Sequence, residues 1–368
     1  MVIIMKITMK KLLSVLLAAL LLAAFAACGG GSGTPASGSD LPPVVSVPAS
    51  GSDLAPVVSV PASGSDLAVS ELRVAVIKLM DHASLDEIAD AVTAELDRIA
   101  QTNNVKITYT VTSGQGDQSI LRQLGDQAIA DKADVIIPIA TPAAQVAALC
   151  AEDSQTPVVY AAVSDPAAAN LTGIPYVTGT SDALNTEFIL DMMLRQNPGV
   201  QKVGLLYSLS ETNSETSIRE AKAYLQSRGI AFTEQTAATN DEVIAAANAL
   251  IAEKADAVFT PTDNVIMAAE LAICESFADA GIPHYTGADS FVRSGAFATC
   301  GVNYTDLGTR TADIAFHAIA FGMKDLEEYY LMDGGIITVN TETAKAIGAD
   351  YSVFADMGEL VEVTTTGE

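Results

Sequence analysis

The sequence predicts an α/β protein made of two doubly wound lobes in tandem. From residue 71 onward, short β-rich runs alternate with amphipathic stretches in which apolar residues recur every three or four positions, as at Ile88, Val92 and Leu96. Strands that alternate with helices of about 10–15 residues indicate βαβ units and a parallel sheet. The alternation runs once over about residues 71–180 and begins again at Lys202.

Each predicted element is short enough to belong to such a unit. The strand candidates are Leu72–Lys78, Val105–Val111, Asp134–Ile139, Val158–Ala162, Val203–Tyr207, Ala231–Gln235, Ala257–Thr260 and His284–Thr286. The helix candidates are Leu85–Gln101, Ser119–Ala130, Ala143–Glu152, Asn185–Arg195, Glu215–Arg228, Asp241–Glu253 and Val265–Ala280. Ligands of doubly wound folds bind beyond the carboxyl ends of the strands, so the loops that follow the strands are the candidate site.

Three loops of the first lobe predict helix N-termini at this edge. Thr141 and Pro142 follow the third strand, where Thr suits the N-cap and Pro the first helical position. The loop with Asp165 and the loop with Gln118 and Ser119 have similar patterns. Free N–H groups and a partial positive charge at a helix start favour a carboxylate. Capping alone explains each loop singly, whereas three in one lobe favour an anion site.

The corresponding loops of the second lobe carry acidic and aromatic residues. Asp263 and Asp289 follow two of its strands, with Tyr207 and Phe291 nearby. Carboxylates suit an ammonium group, and aromatic rings supply apolar walls or a cation–π face. Opposite an anion site, these residues predict a zwitterionic ligand.

Eight motifs together resemble one protein family. They are Lys78-Leu79-Met80-Asp81-His82-Ala83-Ser84-Leu85-Asp86, Gly116-Asp117-Gln118-Ser119, Ala140-Thr141-Pro142-Ala143-Ala144-Gln145, Ala161-Ala162-Val163-Ser164-Asp165-Pro166, Tyr207-Ser208 through Asn213-Ser214, Pro261-Thr262-Asp263-Asn264, Gly287-Ala288-Asp289 and Gly301-Val302-Asn303-Tyr304. In order and spacing they resemble the substrate-binding lipoproteins of ABC importers, in the tryptophan/tyrosine-type branch of the type I periplasmic-binding-protein fold. The resemblance covers about residues 71–350 and departs at 167–181, which is shorter than in many relatives.

The resemblance implies two Rossmann-like lobes joined by three crossovers that close over an aromatic amino acid. It points to a ligand-binding set of Gln118, Ser119, Thr141 and Ala162 in lobe one and Tyr207, Asn213, Asp263 and Asp289 in lobe two. Within this set we expect Thr141 and the N–H groups of its helix to hold the ligand carboxylate, with Gln118 and Ser119 adding hydrogen bonds. We expect Asp289 to hold the ammonium group and Tyr207 to face the side chain.

We expect lobe one to comprise residues 70–182 and 306–330, and lobe two residues 183–305 and 331–368. The crossovers are expected near residues 180–186, near 303–307 and near Tyr329–Gly335. The helix Asp306–Phe321 should pack on lobe one, and Thr341–Ile347 with the tail on lobe two.

Residues 1–27 have the pattern of a secretory signal peptide. Lysines, among them Lys10 and Lys11, precede the apolar run Leu12–Phe25, which is shorter than the roughly 20 residues of a membrane span. Cys28 follows small residues and resembles a bacterial lipobox cysteine, which is lipidated and becomes the mature N-terminus. The alternative is an ordinary signal peptide cleaved near Ala27.

Residues 28–69 predict a flexible tether. A Ser-, Gly- and Pro-rich unit spans residues 36–48, repeats at 49–61 and repeats partly at 62–68. Such units cannot bury a core and form partly extended spacers. The prediction is an extracytoplasmic protein, lipid-anchored at Cys28 to the outer face of the cell membrane.

Composition and motifs exclude several function classes. The net charge of −26 becomes −29 once the three lysines of the leader are removed, and such acidity disfavours nucleic acid. The sequence has neither a phosphate-binding loop nor a nucleophile elbow. No cofactor and no metal are expected.

The cysteines and histidines outside the leader are interpreted as structural. Cys150, Cys274 and Cys300 are small buried hydrophobic residues in one interpretation, and a Cys274–Cys300 disulfide is the alternative. The scattered residues His82, His284 and His317 are interpreted as structural.

Three functions are open at this point. The first is an ABC importer's binding protein, which captures an aromatic amino acid and delivers it to permease and ATPase subunits. The second is a tethered ligand sensor that signals to a membrane kinase. The third, an enzyme, lacks a nucleophile–base pair or metal cluster to support it.

Overall fold

A computed structural model describes residues 71–366, so the predicted signal peptide, Cys28 and the repeat tether lie outside the described residues. The strands, in chain order, are β1 (Leu72–Lys78), β2 (Ile107–Ser113), β3 (Val135–Ile139), β4 (Val158–Tyr160), β5 (Val177–Ser181), β6 (Lys202–Tyr207), β7 (Ala231–Thr236), β8 (Ala257–Thr260), β9 (His284–Thr286), β10 (Ala298–Gly301), β11 (Tyr330–Leu331), β12 (Ile336–Asn340) and β13 (Glu359–Val363).

The helices alternate with these strands. They are α1 (Ala83–Asn103), α2 (Gln118–Ala130), α3 (Thr141–Cys150), α4 (Thr186–Gln196), α5 (Thr212–Ser227), α6 (Asn240–Ala252), α7 (Asn264–Met267), α8 (Glu270–Asp279), α9 (Asp289–Arg293), α10 (Tyr304–Phe321) and α11 (Thr341–Ile347). No helix between residues 71 and 366 is both long and apolar enough to cross a membrane.

The strands form two sheets, each the centre of one lobe. The first has the order β11-β5-β4-β3-β1-β2 and is parallel throughout. The second has the order β13-β12-β10-β9-β8-β6-β7, in which only the β10–β12 pair is antiparallel. Helices cover both faces of each sheet, and central strands such as β3 are buried throughout, as expected for a doubly wound sheet. The predicted fold class is confirmed.

The chain passes between the two sheets three times, at residues 182–185, 302–303 and 332–335. The second passage leads into α10, which packs along α1 of the first lobe. Gly308 permits this close approach, because a Cβ at its position would lie 2.6 Å from the Ile88 carbonyl oxygen. The third passage returns the chain to the second sheet, where β12, α11 and β13 complete the lobe.

Two local predictions were wrong. The stretch Val265–Ala280, predicted as one helix, forms α7 and α8 with a break at Ala268 and Ala269. The alternative of a Cys274–Cys300 disulfide is also wrong, because both residues are free thiols.

Candidate functional site

The two lobes meet at the carboxyl ends of their strands and are closed on each other. Four side-chain pairs bond across the cleft: Ser164 with Thr262 at 2.9 Å, Asp165 with Thr216 at 2.7 Å, His82 with Asn264 at 3.1 Å, and Ser84 with Ser290. In each pair the first residue belongs to lobe one and the second to lobe two. The structure is therefore that of a shut cleft.

A small cavity of about 20 Å³ remains between the lobes. That volume holds about one water molecule, so a larger ligand enters only when the lobes separate. From lobe one the cavity is lined by His82, Ser84, Leu85, Ala140, Thr141, Ala162, Ser164 and Asp182. From lobe two it is lined by Asn213, Thr262, Asp263, Asn264, Met267, Ala288 and Phe291, and Tyr304 of α10 completes it.

A larger groove of about 250 Å³ lies along the outer edge of the first sheet, beside β2 and α2. Its lining is mostly apolar and shares no residue with that of the interlobe cavity. The polar groups without partners described below line the small cavity instead, so the interlobe cavity is the candidate site.

The start of α3 forms one wall of the cavity. Ala140 is the N-cap, with φ 81° and ψ 156°, a combination that is rare outside glycine, and its side chain caps nothing. The prediction that Thr141 is the N-cap was wrong, because Thr141 is the first helical residue and Pro142 the second. The early N–H groups of a helix have no intrahelical acceptor, and at α3 no side chain supplies one. The uncapped, partly positive start of α3 therefore borders the cavity.

The next strand, β4, is also followed by a non-glycine residue with a positive φ. Ala162, which follows β4 and also lines the cavity, has φ 55°. Non-glycine residues adopt such conformations at a free-energy cost, and they cluster at ligand sites. Both residues with positive φ at these adjacent strand ends line the cavity.

Three polar atoms of the lining have no hydrogen-bond partner within residues 71–366. They are Oγ1 of Thr141, Oδ1 of Asn213 and Nδ1 of His82, and each is buried. A buried polar atom without a partner costs about 1–3 kcal/mol, so native proteins rarely leave one empty. Three of them around one cavity indicate that a polar ligand completes the site.

The orientation of Asn213 is fixed by its own lobe. Its Nδ2 donates to the Thr262 carbonyl oxygen at 2.7 Å and to Oε2 of Glu211 at 2.9 Å. A carbonyl oxygen only accepts, so Nδ2 must face Thr262, and Oδ1 is the atom left without a partner. Asn213 thus offers an acceptor to the cavity.

Asp182 brings a carboxylate to the same region. It follows β5, is 4% exposed, and accepts hydrogen bonds from Ser164 Oγ at 2.9 Å and from Tyr304 OH at 3.2 Å. Burial raises the pKa of Asp182 above its usual range. Ser164 also bonds Thr262, whose carbonyl holds Asn213, so Asp182 and Asn213 lie at the same end of the cavity.

The other two acidic side chains near the cavity, Asp263 and Glu211, already accept hydrogen bonds from protein groups. Asp263 accepts from the Ser208 amide and from Ser214 Oγ, and it caps α7 through two further amides. Glu211 accepts three hydrogen bonds, from Asn213 Nδ2 and from both nitrogens of Asn264. Burial, with the nearby Asp263 carboxyl, raises the pKa of Glu211 to about 8.

Four of the eight predicted ligand-binding residues line the cavity: Thr141, Ala162, Asn213 and Asp263. The other four do not. Gln118 and Ser119 are exposed. Tyr207 donates its hydroxyl to Glu234 at 2.8 Å within lobe two. Asp289 pairs with Arg293 through Oδ2 at 3.1 Å, and its Oδ1 is buried without a hydrogen-bond partner in residues 71–366.

Two residues that line the cavity, Asp182 and His82, were not among the ligand-binding residues expected from the sequence. Asp182 follows the unpredicted strand β5, whose Gly179 weakened the β pattern, and His82 was interpreted as structural. Both could have been found by the rule already in use, since each stands just beyond the end of a parallel strand. No group of acidic, histidine and cysteine side chains suited to a metal occurs in the described part of the chain.

Comparisons with known proteins agree with this architecture. A family model described as ABC transporter substrate binding protein matches residues 73–351. The tyrosine-binding protein of Clostridioides difficile strain R20291 is 27% identical over 279 residues, which cover 74% of this chain and 80% of that protein.

Two solved structures are similar. One is an ABC domain from Streptococcus pneumoniae in complex with L-Trp, with TM-score 0.72 and 28% identity over 79% of this chain and 100% of that one. The other is a ligand-free, open substrate-binding protein with adhesive properties from Clostridium difficile, with TM-score 0.61 and 26% identity over 80% of this chain and 100% of that one.

Proposed function

Because the chain belongs to the family of ABC transporter substrate-binding proteins, we propose that it captures an aromatic amino acid between its two lobes. One observation carries the proposal: the uncapped start of α3 and the unpartnered Thr141 hydroxyl face the same interlobe cavity. These groups are suited to a carboxylate, because free N–H groups and a hydroxyl all donate to it.

The ammonium group would lie between Asp182 and Asn213. Asp182 supplies a negative charge from lobe one, and Oδ1 of Asn213 supplies an acceptor from lobe two. An ammonium group has three donors and no acceptor, which fits an acceptor-only pocket. The sequence-based expectation that Asp289 holds the ammonium group is the alternative: one of its carboxylate oxygens pairs with Arg293, and the other is buried without a partner in residues 71–366. A ligand held from both lobes would also stabilise a form in which the lobes close around it.

The side chain would lie against the apolar part of the lining, formed by Leu85, Met267 and Phe291. Aromatic and thioether groups make favourable contacts with a ligand ring. The relatives support this ligand class, since one is named a tyrosine-binding protein and another was solved with L-Trp. Both are solute-binding proteins, which also supports binding rather than catalysis for this chain.

Calorimetric titration of the purified protein with the 20 common amino acids tests the proposal. We expect binding of aromatic amino acids, and a ligand at 100 times its Kd should add about 2.7 kcal/mol to the free energy of unfolding. Thr141→Val keeps the side-chain shape but removes the hydroxyl, and should weaken binding by roughly tenfold or more. A protein that binds no amino acid, or a Thr141→Val variant with unchanged affinity, would contradict the proposal.

The transport role and the anchor are proposed on the sequence. Lipidation of Cys28 would hold the protein at the outer face of the cell membrane, where it would deliver its ligand to permease and ATPase subunits. The alternative is a tethered sensor for a membrane kinase, and ligand uptake by cells that lack only this protein distinguishes the two. Cys28→Ser should abolish metabolic labelling with a fatty acid, and unchanged labelling would refute the anchor.

A further inference from the structure

The ring of His82 is held in one tautomer. Its Nε2 lies 3.1 Å from Oδ1 of Asn264. The Asn264 amide is oriented by Oε2 of Glu211, which accepts from the Asn264 backbone N–H at 3.0 Å and from Asn213 Nδ2 at 2.9 Å. These two donors make Oε2 an acceptor, with any carboxyl proton on the other oxygen, so Nδ2 of Asn264 donates to it at 2.8 Å. The atom that faces His82 is therefore the amide oxygen, an acceptor, and Nε2 must carry the proton.

The other ring nitrogen is then a hydrogen-bond acceptor. Burial lowers the pKa of His82 to about 4, so the ring is neutral at physiological pH. In a neutral imidazole that is protonated at Nε2, Nδ1 has a lone pair and no hydrogen. Nδ1 is buried without a partner in the described chain, although the residue as a whole is partly exposed. His82, which lines the cavity, thus has an acceptor nitrogen, Nδ1, without a hydrogen-bond donor.

His82 lies at the opposite end of the site from Asp182. In the first sheet the order is β5-β4-β3-β1, with Asp182 after β5, Thr141 after β3 and His82 after β1. Neighbouring strands are about 4.8 Å apart, so the two ends are separated by roughly 14 Å. Once the lobes have separated to admit a ligand, that span along the edge of lobe one suits an aromatic amino acid with a hydrogen bond at each end. If the ammonium group is at Asp182, the side chain points towards His82.

We propose that Nδ1 of His82 accepts a hydrogen bond from a donor on the ligand ring, and so selects a phenol O–H or an indole N–H over an unsubstituted phenyl ring. The inference rests on the proposed function and adds the residue that recognises the ligand side chain. With phenylalanine bound, Nδ1 would stay buried and unpartnered, which should weaken binding about ten- to a hundredfold relative to tyrosine or tryptophan.

Calorimetric Kd values for L-Tyr, L-Trp and L-Phe test this with the purified protein and with His82→Phe. The wild type should bind tyrosine or tryptophan at least tenfold more tightly than phenylalanine. His82→Phe keeps a ring but removes the acceptor, so the ratio of Kd values should fall to near one. His317→Phe, the same substitution on α10 away from the cavity, should keep the wild-type ratio.

The ratio of Kd values distinguishes recognition of the ligand side chain from an effect on lobe closure. Loss of the His82–Asn264 bond would weaken all three ligands alike and leave the ratio unchanged, and that result would overturn the inference. A wild type that binds phenylalanine as tightly as both other ligands would overturn it without any variant. If the wild type binds none of the three, the proposed function itself fails, and that outcome is distinct from either of the others.

Discussion

Ser84 of the first lobe and Ser290 of the second share a hydrogen bond across the shut cleft, and both side chains are buried. Ser84 lies in the first turn of α1 and Ser290 in the first turn of α9, and each helix starts at the carboxyl edge of its own sheet. The bond therefore joins these two edges directly. A ligand larger than one water molecule cannot enter while this pair is intact.

A cysteine pair at these positions should lock the cleft. In Ser84→Cys/Ser290→Cys the sulfur atoms replace two oxygens already in contact, which is within the reach of a disulfide. We expect the oxidised double variant to bind no ligand by calorimetry and the reduced one to bind normally. The single cysteine variants, treated identically, should bind in both conditions. Full binding by a cross-linked protein would show that the ligand enters elsewhere.

Asp182→Asn should nearly abolish binding of the amino acid. Breaking a buried charge pair costs about 3–5 kcal/mol, because the remaining charge is left buried and unpaired, and this corresponds to a hundredfold or more in Kd. Asp289→Asn is the matched control, since Asp289 lies outside the cavity lining and pairs with Arg293. It should change Kd by less than about threefold. The reverse ranking of the two variants would restore the assignment made from the sequence.

The affinity should also depend on pH through Asp182. Burial raises the pKa of this carboxyl in the unliganded protein, whereas an ammonium ligand needs it ionised. Binding should therefore weaken as the pH falls through the raised pKa, beginning above the range of an ordinary aspartate. Titrations between about pH 4 and pH 8 in the wild type and in Asp182→Asn test this, since the variant should lack that dependence. A pH-independent wild type would exclude Asp182 as the ammonium partner.

How much of the structure could be predicted from the sequence depended on whether the contacts involved are local or join residues far apart in the chain. The βαβ alternation and most strand ends follow from local patterns, and these predicted the fold class and the loop that contains Thr141, whereas Asn213 was named through the family resemblance. Whether a polar residue at a strand end is free to bind a ligand depends on its tertiary contacts. Asp263 resembled a free carboxylate in the sequence, but four donors within lobe two already bind it. Tyr207 is at a strand end, but its hydroxyl bonds to Glu234, which lies 27 residues away in the sequence.

Glu211→Gln should stabilise the protein at alkaline pH. The folded-state pKa of about 8 lies above the ordinary glutamate value of 4.5, so the folded state holds a proton that the unfolded state has lost. The free energy of unfolding therefore falls as the pH rises from about 4.5 to about 8. Glutamine supplies an acceptor oxygen without a charge, so the variant should have a higher Tm at pH 8–9 and a similar Tm near pH 4.5.

Thermal unfolding monitored by circular dichroism at several pH values measures this difference. Glu220→Gln, an exposed substitution on the same helix α5, should leave the pH dependence of Tm unchanged. A Glu211→Gln variant less stable than the wild type at pH 8–9 would show that the charged carboxylate is favourable where it lies.

Ala140→Gly should stabilise the fold, because Ala140 is held at φ 81° and ψ 156°. That conformation costs a non-glycine residue about 1–3 kcal/mol, whereas a glycine substitution costs about 0.4–1 kcal/mol in unfolded-chain entropy. The expected net gain in the free energy of unfolding, about 1 kcal/mol, is measurable by urea titration. Ala143→Gly, in the first turn of the same helix, has no such strain to relieve and should lose about 0.5–1 kcal/mol. If both variants lose stability alike, the backbone at Ala140 is not strained, and the geometry that leaves α3 uncapped has another cause.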